Sequence, residues 1–359
     1  MCASLPSVHG ILKLSASSLV VAMGAAAFLW APQPAPARDA STNVCSRFAG
    51  PGGRDAGPGT ITDPYRTVGH LVRRLRAGET GCLRGSVYRE DVDITRGGVP
   101  GRPLTLRSVP GHRATIQGRL AIAGSADDVV VSFLRLDGST TNGEPSPQVN
   151  GDRVVFRSND VSNRHTAICF ILGGAFAKYG RAVGTVIDRN RIHDCGRLPA
   201  TNHDHGVYIE AARYTRVTNN VIYGNADWGV HLYPDADNTR VANNVIVGNG
   251  GGVIIAGEAG GDGYSVGYAS DTNVIEWNVI ANSTLYHNVD TYWGGPTGRG
   301  NLAQRNCLWN GKGGNFGDIV GLAVRGNVVA NPLFVNPERG NFELQARSRC
   351  LRLGAGPAR

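Results

Sequence analysis

Lysine is nearly missing from this chain: Lys13, Lys178 and Lys312 are the only three, among 36 Lys and Arg in total. A catalytic lysine therefore has almost nowhere to sit. No two cysteines form a Cys-x-x-Cys pair, which argues against a zinc site. No basic stretch is interleaved with aromatics, so nucleic acid is not an expected partner. The one strongly apolar run, Leu19 to Trp30, falls short of the roughly 20 residues needed to span a bilayer. It follows Lys13 and ends at Ala35-Pro36-Ala37, the order of a basic region, a hydrophobic region and a small-x-small cleavage site. Residues 1–37 thus read as a secretory signal cut near Ala37, with no cysteine close behind it for a lipid anchor. Residues 38–359 are left as a single secreted domain, with no membrane attachment once the signal is removed.

Removing the signal takes Cys2 away and leaves Cys45, Cys82, Cys169, Cys195, Cys307 and Cys350. An even number of cysteines in an exported chain favours disulfides over metal ligation. If neighbours along the chain are neighbours in space, the pairs are Cys45–Cys82, Cys169–Cys195 and Cys307–Cys350. The mature chain carries 35 Lys and Arg (36 less Lys13) against 28 Asp and Glu. This excess of seven positive charges makes an anionic polysaccharide the favoured partner.

What the chain has in plenty is repetition. GVYIE, GVHLY and GVIIA place Val207, Val230 and Val253 23 residues apart each time. TRVTNNVIYGN stacks on TRVANNVIVGN in the same way, setting Asn220 over Asn244 and Ile222 over Ile246. A fixed short period with alternating apolar residues specifies an all-β solenoid rather than a layered globular fold. Asn recurs before an apolar turn at 159, 190, 220, 244, 278, 306 and 327. Such residues can hydrogen-bond along the axis at one corner. Longer gaps mark insertions at 173–184, 196–202 and 257–270, where binding tends to sit. Before the repeats, 41–63 reads as loop, and Val68, Leu71, Val72 and Leu75 predict a short helix capping the open end.

This pattern resembles the right-handed parallel β-helix, pectate-lyase-like superfamily over about residues 60–355. GETGCLRGSVYREDVDI is similar to its usual first coil and NPLFVNPERGNFELQARS to its last. The resemblance implies a carbohydrate-active or cell-surface protein, since the superfamily holds lyases, glycoside hydrolases, uronan epimerases and non-catalytic members.

Strand alternation turns Val207 and Ile209 inward, and so Tyr208 and Glu210 outward. Stacking then predicts one outward column of Ile168, Tyr208, His231, Ile254 and Asp290. A second holds Phe170, Glu210, Tyr233, Ala256 and Tyr292. Asp204 and His205 stand at the strand entry under Asp227 and Trp228, and Asp235 with Glu258 at the exit. The catalytic candidates are His205, Tyr208, His231, Asp204 and Glu210. His203, Trp228, Tyr233, Asp235, Glu258, Asp290 and Tyr292 are the candidates for holding substrate. Acids and imidazoles move protons, and aromatic faces stack on sugars.

Mannuronan C5-epimerases resemble this layout in clustering a Tyr, a His and an Asp, roles that Tyr208, His205 or His231, and Asp204 could fill. The first reading is accordingly a lyase or C5-epimerase on a uronate polysaccharide. A second is a glycoside hydrolase in which Asp235 and Glu258 form a retaining pair about 5 Å apart, or Glu210 and Glu258 a pair about 10 Å apart at the edge of the inverting range. The third is a non-catalytic binding protein, in which these side chains would not converge. No cofactor follows from the residues. His203 and His205 lack a third metal ligand at a diagnostic spacing, and only Ca²⁺ is left open.

Overall fold

A computed structural model describes residues 44–356, apart from 175–179, 259–267 and 292–296. The proposed signal sequence lies outside these described residues. So do Tyr292, Lys178 and much of the insertions at 173–184 and 257–270.

The chain winds as a parallel β-solenoid of about eight turns. Each coil contributes one short strand to each of three sheets, of eleven, ten and nine strands, whose neighbours pair in parallel. The 23-residue repeat appears in the register: Val207 faces Val230, which faces Val253, which faces Val289. The inward residues Ile187, Val217, Val241 and Ile275 stack in a second column. Ile192, Ile222, Ile246 and Ile280 form a third. All are essentially inaccessible to solvent, so one dry core runs the length of the solenoid.

The corner between the eleven- and ten-stranded sheets follows directly from sequence. Ser158, Arg189, Asn219, Asn243, Trp277, Arg305 and Gly326 adopt positive φ. Each immediately precedes one of the seven recurrent asparagines. A left-handed residue bends the chain there, at a cost of roughly 1–2 kcal/mol when it is not glycine. The asparagine turned inward offsets this cost. Asn220 donates to Asn244 Oδ1 (3.0 Å) and to Ile187 O (2.8 Å), while its own Oδ1 accepts from the Asn190 amide (2.8 Å). The same bonds link Asn159 to Asn190 and continue through Asn278 and Asn306 to Asn327. Two shorter ladders, Asn225–Asn249 and Asn273–Asn301, stand at the other corners and were not expected.

The N-terminal end is capped. Helix Val68–Arg74 packs Leu71 on the first coil; the Thr67 hydroxyl accepts from the His70 amide, and Glu90 takes the amides of Val68 and Gly69. The preceding segment is not all loop: Arg47–Ala49 adds a parallel strand to the eleven-stranded sheet, beside the Cys45–Cys82 bond. Nor is the last segment a further coil. Phe334–Asn336 and Asn341–Leu344 form an antiparallel pair, followed by helix Arg349–Leu353. This strap covers Val245, Val247, Val279 and Ala281 on the outside of the ten-stranded sheet and is pinned by Cys307–Cys350. Cys169–Cys195 completes the three expected disulfides, a set suited to an oxidising, extracellular setting. Among the described residues no helix is long and apolar enough to cross a membrane.

Candidate functional site

The candidate side chains stand on the nine-stranded sheet. One outward column runs Ile171, Tyr208, His231, Ile254, Asp290, at parallel-strand spacings of about 4.8 Å. Four of its five members are as expected. The fifth is Ile171 rather than Ile168, because that strand begins only at Phe170. Phe170 itself lies inward, opposite Val207, and its ring packs edge-on against Phe156 in the core. The second column does not form as a simple stack. A register shift between Ile209 and Ala211 places Ala211 opposite Asp235, so Glu210 sits half-buried at a bulge.

Three predicted residues converge. His205 and His231 cross at a ring-centroid distance of 4.3 Å, with His231 Nδ1 and His205 Nε2 2.7 Å apart. The Tyr208 ring lies 5.5 Å from His205 and 5.4 Å from His231. Tyr233 stacks on the far side of His231 at 5.5 Å, and its hydroxyl bonds to Glu258. Beside this group Trp228 lies flat on Tyr286 at 5.1 Å, while its indole N–H donates to Asn202 Oδ1 (2.7 Å).

Burial separates these groups by role. His205 and His231 are closed off from solvent, 2% and 1% exposed, whereas Tyr208 is partly exposed. Burial drives the His231 imidazole down to about 3, with the nearby charge of His203 adding to the effect. It drives His205 well below its ordinary value too, reinforced by His231 and then His203. Both rings are therefore neutral across the physiological range, and neither touches solvent. His205 Nδ1 is a buried polar atom with no hydrogen-bond partner among the described residues.

Other expected members are engaged elsewhere. Asp204 is held by Arg197 through two bonds (2.7 and 3.1 Å), and its backbone amide donates to Asp227, so it is not part of the imidazole group. Asp235 pairs with Arg181, which also reaches Asp237 (3.1 Å). Its carboxyl is pushed up by burial, with Arg181 opposing. His203 is exposed at the rim. Among the described residues no group of three His, Cys, Asp or Glu is placed to hold a metal ion.

Sequence reasoning missed Arg197, Arg181, Tyr286 and His287. Arg197 and Asn202 belong to the 196–202 insertion, which was marked as a binding loop without naming its contacts. Tyr286 and His287 lie in an irregular stretch between two ladder asparagines, where stacking offers no register. Tyr286 is pushed up by burial and by the Asp227 carboxylate beside it.

A solenoid of three parallel sheets is the architecture of a β-helix protein. The chain belongs to the right-handed β-helix family, whose model for the "right handed beta helix region" matches residues 147–329. Among curated sequences it is 25% identical over 187 residues, half of this chain, to pectate lyase PEL9 of Emericella nidulans. It is 32% identical over 71 residues, a fifth of this chain, to the protein YwoF of Bacillus subtilis. It spans only 39% and 15% of the lengths of those relatives. The solved structure of pectate lyase Pel9A shares the fold with a TM-score of 0.53 and 13% identity, over 86% of this chain and 91% of that one.

Proposed function

We propose that this is an exported enzyme acting on a uronate-containing polysaccharide as a lyase or C5-epimerase, with residues 1–37 as its signal peptide. The observation that carries the reading is the convergence of Tyr208 and His231, neighbours in one outward column, with His205 at the strand entry, and the aromatic rim beside them. A purely structural surface would not require two imidazoles in contact beneath a partly exposed phenol. The sequence relative named pectate lyase PEL9, 25% identical over half of this chain, supports the same class of substrate.

Both reactions begin by removing the proton on the carbon next to the sugar carboxylate. The released electron pair either expels the neighbouring glycosidic oxygen, which then takes a proton, or is reprotonated on the opposite face. Tyr208 is the member of the group that can reach a sugar, and its oxygen can donate or accept that proton. The two neutral rings below fix its position and keep positive charge away from the phenol. Tyr233 with Glu258, and Trp228 with Tyr286, offer polar and stacking surfaces for the sugar. Asp235 and Glu258 are bonded to Arg181 and Tyr233, which favours this chemistry over a carboxylate-pair hydrolase.

The test combines ultraviolet absorbance of unsaturated uronate with reducing-sugar release on a panel of acidic polysaccharides, and proton exchange from solvent for epimerisation. Tyr208→Phe is expected to lower turnover by about 10²-fold or more while leaving the Michaelis constant nearly unchanged. Reducing ends without absorbance, insensitive to Tyr208→Phe but lost in Glu258→Gln, would replace the reading with hydrolysis.

A further inference from the structure

Two strands along the outward column from His231, beyond Ile254, stands Asp290, and beside it a further imidazole, His287, that the proposed chemistry does not use. His287 Nδ1 is 2.7 Å from Asp290 Oδ2, and the other carboxylate oxygen accepts the amides of Thr291 (2.8 Å) and Asp318 (2.9 Å). With Asp290 anchored in this way, the ring orientation follows, with Nδ1 as the donor to the carboxylate; in the neutral ring Nε2 then carries the lone pair. Nε2 has no hydrogen-bond partner among the described residues. The His287 side chain is 31% exposed, in contrast to the sealed rings of His205 and His231.

The wall behind the pair is closely fitted. A Cβ placed on Gly317 would stand 2.4 Å from both His287 Nδ1 and Asp290 Oδ2, and one on Gly313 would stand 3.1 Å from the His287 ring. Backbone therefore closes directly over the hydrogen bond on one side, while the ring keeps an open edge. Tyr286, the residue before His287, stacks on Trp228, which ties this position to the same aromatic rim.

We propose that His287, oriented by Asp290, is a substrate-holding residue that accepts a hydrogen bond from a hydroxyl of a sugar unit beyond the one that reacts. This rests on the reading of the nine-stranded sheet as the polysaccharide face. At about 4.8 Å per strand, Asp290 lies about 10 Å from His231, further than one sugar ring extends. The contact is thus made only by chains long enough to cover both positions.

The experiment measures binding, independently of turnover, by calorimetry with the full-length secreted protein. The probes are polygalacturonate and alginate oligosaccharides of graded length. In His287→Asn the amide can replace the Nδ1 donor to Asp290 but offers no acceptor at the Nε2 position. This variant is expected to melt like the wild type and to bind long oligosaccharides about tenfold more weakly, with disaccharide binding unchanged. Gly317→Ala, which displaces the pair, should weaken long-chain binding in the same direction. Wild-type affinity of His287→Asn for long chains would overturn the assignment while leaving the proposed chemistry standing. A wild-type protein that binds none of the probes would overturn both. Loss of disaccharide binding to the same extent would show that His287 serves the reacting unit instead, and would overturn the assignment as well.

Discussion

At the scale of single residues, the asparagine ladder and the buried imidazoles carry the sharpest consequences. Asn220 satisfies the Asn190 amide and the Ile187 carbonyl, both beyond the reach of water. Asn220→Ala orphans both together, and a loss of about 3 kcal/mol in urea unfolding is expected. His231 behaves differently, because its partner is the dry interior itself. Its imidazole titrates near 3 in the fold and near 6.5 in the unfolded chain, so between those values the unfolded chain binds the extra proton. Stability from this group is complete above about pH 6.5 and falls by about 1.4 kcal/mol per pH unit as pH drops towards 3. His205 acts in the same direction. Melting midpoints followed from neutral to mildly acidic pH should fall less steeply in His231→Asn than in the wild type; parallel slopes would exclude this origin.

These residues also mark how far sequence carries. The ladder was legible because every member is the same residue at the same place in the period. The pairing of Asp204 with Arg197 was not legible, because Arg197 lies in an insertion outside the period and a bidentate guanidinium contact depends on where that loop folds back. Burial of His205 and His231 was not legible either. Alternation shows that a side chain leaves the core, and not whether a neighbouring coil or loop then covers it.

Among the elements, the C-terminal strap explains an oddity of the ten-stranded sheet. Its outward residues are Val245, Val247 and Val279 where polar ones would be expected, because Phe342, Leu344 and their neighbours cover them. Cys307–Cys350 closes the loop that holds the strap in place. Removing it with Cys350→Ser is expected to lower stability by about 2–4 kcal/mol. Binding of an apolar dye should rise before global unfolding, as the strap lifts from the valines. An unchanged dye signal would mean that packing alone holds it. The opposite terminus needs less: the helix Val68–Arg74 was readable from apolar spacing, and its caps Thr67 and Glu90 supply the amide partners.

Over the whole molecule, contacts are made almost entirely between successive coils, so strength is distributed along the solenoid. Export fits this design, since the three disulfides need an oxidising compartment. Expression in a secreting host should yield a protein whose mass and first residue place cleavage near Ala37, with six cysteines unreactive to alkylation before reduction. A retained N-terminus in the medium would refute the signal assignment.

The sequence by itself determined the solenoid, its period, the asparagine corner and the column that joins Tyr208, His231 and Asp290. All of these follow from repetition, because equal spacing along the chain becomes vertical stacking whenever parallel strands pair in register. Tertiary structure alone decided which outward side chains are covered, that Asp204 and Asp235 belong to arginines, and that His287 meets Asp290. Those contacts arise in insertions and at a bulge, where the period breaks and position depends on how each loop packs against the finished coil.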